Sequence, residues 1–164
     1  MSLEPATADD LDAIMAIERT PEYSLFIGAF DRARHEANLQ DADWRYLVWR
    51  ERGRVLAFVL FNRMSEPDHI VRAHRIAAET PGTGLGRRFI PALVDWVFTG
   101  TRTHRLELDC SMENPRALHV YERHGLVREG VAREVYRTPE GRYVSSALLS
   151  LLRPEWLALR TPSG

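Results

Sequence analysis

The chain has 164 residues, a single cysteine and a formal net charge of −1, with 45% hydrophobic and 27% charged residues. Such a length suits one compact unit with a real core, so a single domain over residues 1–164 is expected. The near-neutral balance gives no bias toward nucleic acid or an anionic membrane surface, and one cysteine excludes an internal disulfide and a thiolate zinc cluster.

Taken in chain order, Thr7 with Asp9 and Asp10 reads as a helix start. Leu11, Ile14, Met15 and Ile17 continue it as a short amphipathic helix, which Thr20-Pro21 ends. From Pro21 to Gln40, Leu25, Phe26, Ala29, Phe30, Ala33 and Ala37 recur at helical spacing, with Gly28 as a weak point. Trp44–Glu51 and Val55–Asn62 are β-rich runs around Arg52-Gly53, a predicted hairpin; His69–Ala78 is a further strand. Leu85, Phe89, Ala92, Leu93, Trp96 and Val97 mark one face of a helix ending near Gly100, with a kink expected at Pro91. Arg105–Ser111 alternates as a strand. Asn114-Pro115 opens a helix that stops at Gly125. Leu126–Arg137 and Arg142–Leu152 are the last strands. Strands at both ends and βαβ units between them predict a mixed α/β fold: a mostly antiparallel sheet with helices on both faces. Met1–Asp10 has no basic region followed by an apolar stretch, and no run reaches the ~20 residues that span a bilayer. A reducing, cytoplasmic setting is therefore expected, with no membrane partner.

The most informative stretch is Thr80-Pro81-Gly82-Thr83-Gly84-Leu85-Gly86-Arg87-Arg88. Three alternate glycines are more than a tight strand-to-helix turn requires. Without Cβ atoms, several backbone N–H groups can approach a ligand at a helix N-terminus, where phosphate is favoured. Arg87 and Arg88 oppose the helix dipole unless an anion sits there. A P-loop would need a lysine after the last glycine, and a dinucleotide fingerprint would need Gly-x-Gly-x-x-Gly; neither is present.

Pro81-Gly82-Thr83-Gly84-Leu85-Gly86 resembles the pyrophosphate loop, (Gln/Arg)-x-x-Gly-x-(Gly/Ala), of the GNAT N-acetyltransferase superfamily. Asn114, Ala117, Leu118, Tyr121 and Gly125 repeat the spacing of that family's next helix. Ser150–Trp156 resembles the close of members that act on ribosomal-protein or other N-terminal amines. The resemblance runs from residue 3 to residue 156 and implies a three-layer acyl-CoA N-acyltransferase-like fold with six to seven strands. It implies acetyl-CoA as cosubstrate, no metal, and a primary amine acceptor: a protein N-terminus, a polyamine or a small amine. A homodimer stays open. Cofactor contacts are expected from Ile76, Ala77 and Ala78 through the backbone, from Gly82, Thr83, Gly84, Leu85, Gly86, Arg87 and Arg88 in the loop, and from Asn114, which is also a helix cap. Proline at position 81 departs from the family pattern and removes a donor, which shifts the expected burden to Thr83, Arg87 and Arg88.

The same resemblance makes Tyr121 the general acid that protonates the leaving thiolate, a role that suits a phenol of pKa near 10. Asp109 is the candidate base, with Glu79 as rival. Glu18, Glu22, Tyr23 and Phe26 are expected around the acceptor, the acids drawing in a cationic amine. An ordinary core tyrosine and solvated carboxylates are the alternatives. A non-catalytic acyl-CoA sensor on the same fold and a nucleotide-binding enzyme are the competing functions. The six histidines have no metal-ligand spacing and are expected at the surface, His74 least firmly.

Overall fold

A computed structural model describes residues 2–23 and 26–160. Leu25, expected on a helical face, lies outside the described residues. Seven strands form one sheet in the order β1-β2-β3-β4-β5-β7-β6. They are β1 (Ser2–Pro5), β2 (Arg45–Glu51), β3 (Arg54–Asn62), β4 (Ile70–Ala78), β5 (Arg105–Ser111), β6 (Val127–Arg137) and β7 (Tyr143–Leu152). Neighbours are antiparallel except β4 and β5. The helices are α1 (Leu11–Glu18), α2 (Arg32–Gln40), α3 (Gly86–Gly100), α4 (Pro115–Arg123) and α5 (Arg153–Arg160).

Alternation within each strand divides the apolar residues between two cores. Val59, Phe61, Leu106 and Leu149 pack with Phe89, Leu93 and Val97 of α3, Leu118 and Tyr121 of α4 and Trp156 of α5. On the opposite face Tyr46, Phe58 and Leu60 pack with Leu11, Ile14 and Ile17 of α1. The result is the expected three-layer α/β arrangement. The β2–β3 turn has φ of 50° at Arg52 and 80° at Gly53, the two positive values a primed hairpin turn requires.

Two elements were not foreseen. β1 is too short and polar to show a period. In α5, Arg153 reaches across to accept the role of a cap: its guanidinium donates to the carbonyls of Phe98 (2.7 Å), Thr101 (3.0 Å) and Thr103 (2.8 Å) at the end of α3.

The segment 21–40 requires a correction. A 3-10 turn covers Pro21–Tyr23, and among the described residues of the segment only Arg32–Gln40 is α-helical. The helix buries His35 and Asn38, while Ala33 and Ala37 face solvent. Apolar periodicity picked the wrong face because the buried side chains are polar and satisfied by hydrogen bonds.

β4 carries a bulge. Leu60 is opposite Arg75 and Phe61 opposite Ala73, which leaves His74 as the extra residue. Ala73 therefore packs in the α3 core while Arg75 is turned to the α1 side. This one residue decides which side chains reach each face beside the site.

Candidate active site

β4 and β5 pair only through Ile70↔Arg105, Val71↔Leu106 and Arg72↔Glu107. Beyond Arg72 the strands part, and β5 stays attached to β7 as far as Ser111↔Ser146. This leaves an opening with an unpaired β4 edge on one side. Backbone groups alternate along a strand, so Ala78 and Ile76 face this opening while Ala77 faces β3, opposite Phe58. Ala77 also buries its side chain in the α1 core. The expected contact through Ala77 is thus corrected: the edge is presented by Ile76 and Ala78.

At the head of the opening lies the loop into α3. Gly82 and Gly84 have φ of 83° and 81°, which β-carbons disfavour. The amides of Gly84, Leu85 and Gly86 have no backbone acceptor among the described residues; the loop's own bonds start with Arg87 N–H to Gly84 O at 3.1 Å. Three donors converge where the dipole of a fifteen-residue helix begins. The side chains expected to assist are differently disposed. Arg88 is paired with Glu51 and lies 5.8 Å from the Trp49 ring centre. Thr83 Oγ1 donates to the Thr80 carbonyl at 3.1 Å. Arg87 is exposed and has no ion pair among the described residues. A residue the sequence reading passed over comes closest: a Cβ at Gly82 would lie 2.9 Å from Nη1 of Arg116, the second residue of α4. Arg116 likewise has no ion-pair partner among the described residues.

Asn114 caps α4, its Oδ1 accepting from Ala117 N–H at 3.2 Å. Two turns beyond Asn114, Tyr121 is 9% exposed and packs in the α3-side core. Burial, then the neighbouring Cys110, Tyr23 and Asp109, push its phenol well above the ordinary value. The hydroxyl therefore keeps its proton at neutral pH. Burial also pushes the Cys110 thiol up to about 12, so it is not a thiolate nucleophile.

The two candidate bases are both occupied by arginine: Asp109 by Arg72 and Glu79 by Arg54. Asp109 is the one whose charge reaches Tyr121.

The acceptor-side residues diverge. Glu22 is exposed, Phe26 half-buried, and Tyr23 bonds the end of β4. Glu18, expected to draw in a cationic acceptor, is instead committed inside the protein: its carboxylate is buried in an ion pair with Arg75 and accepts from His35 Nε2 at 3.0 Å. Nδ1 of the same ring lies 3.0 Å from the Tyr46 hydroxyl, which accepts from Asn38 Nδ2 at 3.0 Å. Every donor in this chain thus has an acceptor. Burial pushes the Glu18 carboxyl up, but His35 and Arg75 outweigh it and hold it below the ordinary carboxylate range. His35 is wholly buried, against the surface expectation for the histidines. His74 stacks on Phe30 with ring centres 5.7 Å apart, edge-on to Trp44 at 5.2 Å. His74 keeps an exposed surface, as expected, but partial desolvation against these rings, with Arg75 and Arg72 nearby, lowers its pKa to about 4.

A match to the acetyltransferase (GNAT) domain family covers residues 1–127. The chain belongs to this family. The spermidine N(1)-acetyltransferase of Vibrio cholerae is 35% identical over 82 residues, 50% of this chain and 47% of that protein. A kanamycin resistance protein of Rhizobium radiobacter is 35% identical over 60 residues, 37% of this chain and 52% of that protein. The chain thus matches about half the length of these curated relatives. Among solved structures, the Vibrio cholerae spermidine N-acetyltransferase in complex with CoA and spermine superimposes with a TM-score of 0.84. It is 23% identical, covering 95% of this chain and 97% of that one. At that identity the superposition establishes the fold. No group of three His, Cys, Asp or Glu side chains suited to a metal ion occurs among the described residues.

Proposed function

We propose that the protein, acting as one unit over residues 1–164, transfers the acetyl group of acetyl-CoA directly to a primary amine. The observation that carries this reading is the opening where β4 and β5 part beyond Arg72, followed in the chain by three acceptor-free amides at the head of α3; the nearby Tyr121 fits the acid role. These features fit the cosubstrate: an arm with amides to pair along a strand, and phosphates for a glycine cradle that a Cβ at position 82 would fill. Acetyl-CoA supplies an acyl group activated as a thioester.

The roles divide among the residues accordingly. The amides of Gly84, Leu85 and Gly86 hold the phosphates, with Arg116 and Arg87 supplying charge in place of the missing side chain at Pro81. Ile76 N–H, facing the opening, stabilises the oxyanion formed at the carbonyl. Asp109 takes the amine proton in preference to Glu79, because it is the carboxylate near Tyr121. Tyr121 protonates the departing thiolate. Direct transfer is favoured by the high thiol pKa of Cys110, which leaves no ready covalent nucleophile on β5.

For the acceptor, similarity to a spermidine acetyltransferase favours a polyamine over a protein N-terminus or an unrelated small amine. Of the candidate carboxylates, Glu22 is the one left to attract it, since Glu18 is paired with Arg75 and Asp109 with Arg72. A homodimer is favoured by Val127, Val131 and Val135, exposed apolar residues on the edge strand β6. A cytoplasmic location is favoured by the single unpaired Cys110.

A second reading, an acyl-CoA-binding sensor without turnover, is favoured by one fact: both candidate bases are held by arginine. A thermal-shift screen tests the shared part of both readings. CoA should raise Tm, ATP and NAD should not, and polyamines should add a further shift once CoA is bound. Stabilisation by NAD or ATP without any by CoA would overturn the cofactor assignment.

A further inference from the structure

The end of β4 is already engaged. The Tyr23 hydroxyl donates to the Ala78 carbonyl at 2.7 Å and accepts from the Ala78 N–H at 2.7 Å. One hydroxyl thus satisfies both backbone groups of a residue that faces the β4–β5 opening. A secondary amide lying beside the strand would do the same, accepting with its carbonyl and donating with its N–H. The two cannot share Ala78, because each needs the same donor and the same acceptor at hydrogen-bond distance.

Tyr23 stands on a part of the chain that can move without opening either core. It ends the turn Pro21–Tyr23, which follows α1, and its ring packs only at the margin of the α1 core. Its own carbonyl accepts from the N–H groups of Phe26 (2.9 Å) and Ile27 (3.0 Å), so the turn is closed on itself and can shift as a piece. The hydroxyl is also near enough to Tyr121 to raise the cost of ionising that phenol.

We propose that Tyr23 is a plug in the cofactor track, an internal stand-in for an amide of the pantetheine arm, which CoA must expel in order to pair with Ala78. The inference rests on CoA lying along β4, as proposed above. Its consequence is an order of binding. The turn that carries Tyr23 also carries Glu22 and leads to Phe26, so the acceptor wall takes its final form only after the cofactor has displaced the tyrosine.

Calorimetric titration of the full chain and of Tyr23→Phe with CoA and with adenosine 3′,5′-bisphosphate, which lacks the arm, tests the plug. Removing the two competing bonds should tighten CoA roughly three- to thirtyfold and leave the bisphosphate unchanged. Unchanged or weaker CoA binding by a folded variant, or an equal gain for both ligands, would overturn the proposal. An independent reading uses the wild-type chain: amide hydrogen exchange in the peptide covering Pro21–Tyr23 should become faster on saturation with CoA. Slower exchange there would also overturn the plug. A wild-type chain that binds the bisphosphate but not CoA would remove the cofactor track itself, a failure distinct from an unaltered Tyr23→Phe.

Discussion

The two sides of the opening are built by opposite means. On the α3–α4 side the groups facing the opening are mostly backbone: acceptor-free amides in a glycine loop and a strand edge with no strand partner beyond Arg72. On the α1–α2 side the groups are side chains, and most are already committed to one another. Glu18 is held by Arg75 and His35, Tyr46 by His35 and Asn38, and Phe30 by His74 and Arg75. The first side is open to an anion, and its strand edge has no strand partner beyond Arg72 although Tyr23 holds Ala78. The second is a closed polar network that supports the acceptor wall without offering its charge. Backbone sites demand particular residues in particular places, whereas a satisfied side-chain network can be assembled from residues scattered along the chain.

The largest expected effect lies where the two sides meet. Tyr121→Phe should lower turnover by about a hundredfold while leaving CoA affinity within about twofold, as expected for a lost proton donor. Steady-state kinetics with parallel calorimetry checks this, and an unchanged rate would remove Tyr121 from the mechanism. On the closed side, Glu18→Ala leaves Arg75 buried and unpaired. It should cost about 3–5 kcal/mol in urea unfolding. A loss below about 1 kcal/mol would mean that the network is not the support described here.

On the open side, Arg116→Gln should weaken CoA about tenfold or more and flatten the salt dependence of binding, with little change in stability. An affinity equal to that of the wild type would return the phosphates to the backbone amides alone. The smallest effect is in pH. His74 is lowered to about 4, so the folded protein resists its protonation and stability should decline as pH falls below about 6.5. Glu18 is lowered, and Glu129 is lowered to about 2 by hydrogen bonds from Arg105 and Ser150. Their contribution is present above the ordinary carboxylate value and lost as pH falls through the folded ones. His74→Asn should flatten the upper part of the acid limb and leave the lower part; an identical profile would show that His74 does not contribute.

Legibility in the sequence followed the same division. The glycines at 82, 84 and 86, the Asn114-Pro115 helix start and the alternation of β5 are local signals, and each appears in the structure where its pattern placed it. Arg116 was missed because its importance is spatial: it approaches Gly82 from another helix. The bulge at His74 left no mark either, since a run of alternating residues looks the same with one extra member. α2 was misread because its buried face is His35 and Asn38, and periodicity arguments count only apolar residues as inward. Glu18, expected to attract a cationic acceptor, is instead held by Arg75 and His35, which are 57 and 17 residues away in sequence and so invisible to local patterns.

The central claim is acyl transfer from CoA to an amine through this opening. Thiol release from acetyl-CoA, followed with spermidine, spermine and a peptide amine, tests it most directly. The account predicts amine-dependent release, fastest with a polyamine and largely lost in Tyr121→Phe. No release with any amine, from a protein that binds CoA tightly, would contradict catalysis and leave a sensor on the same fold.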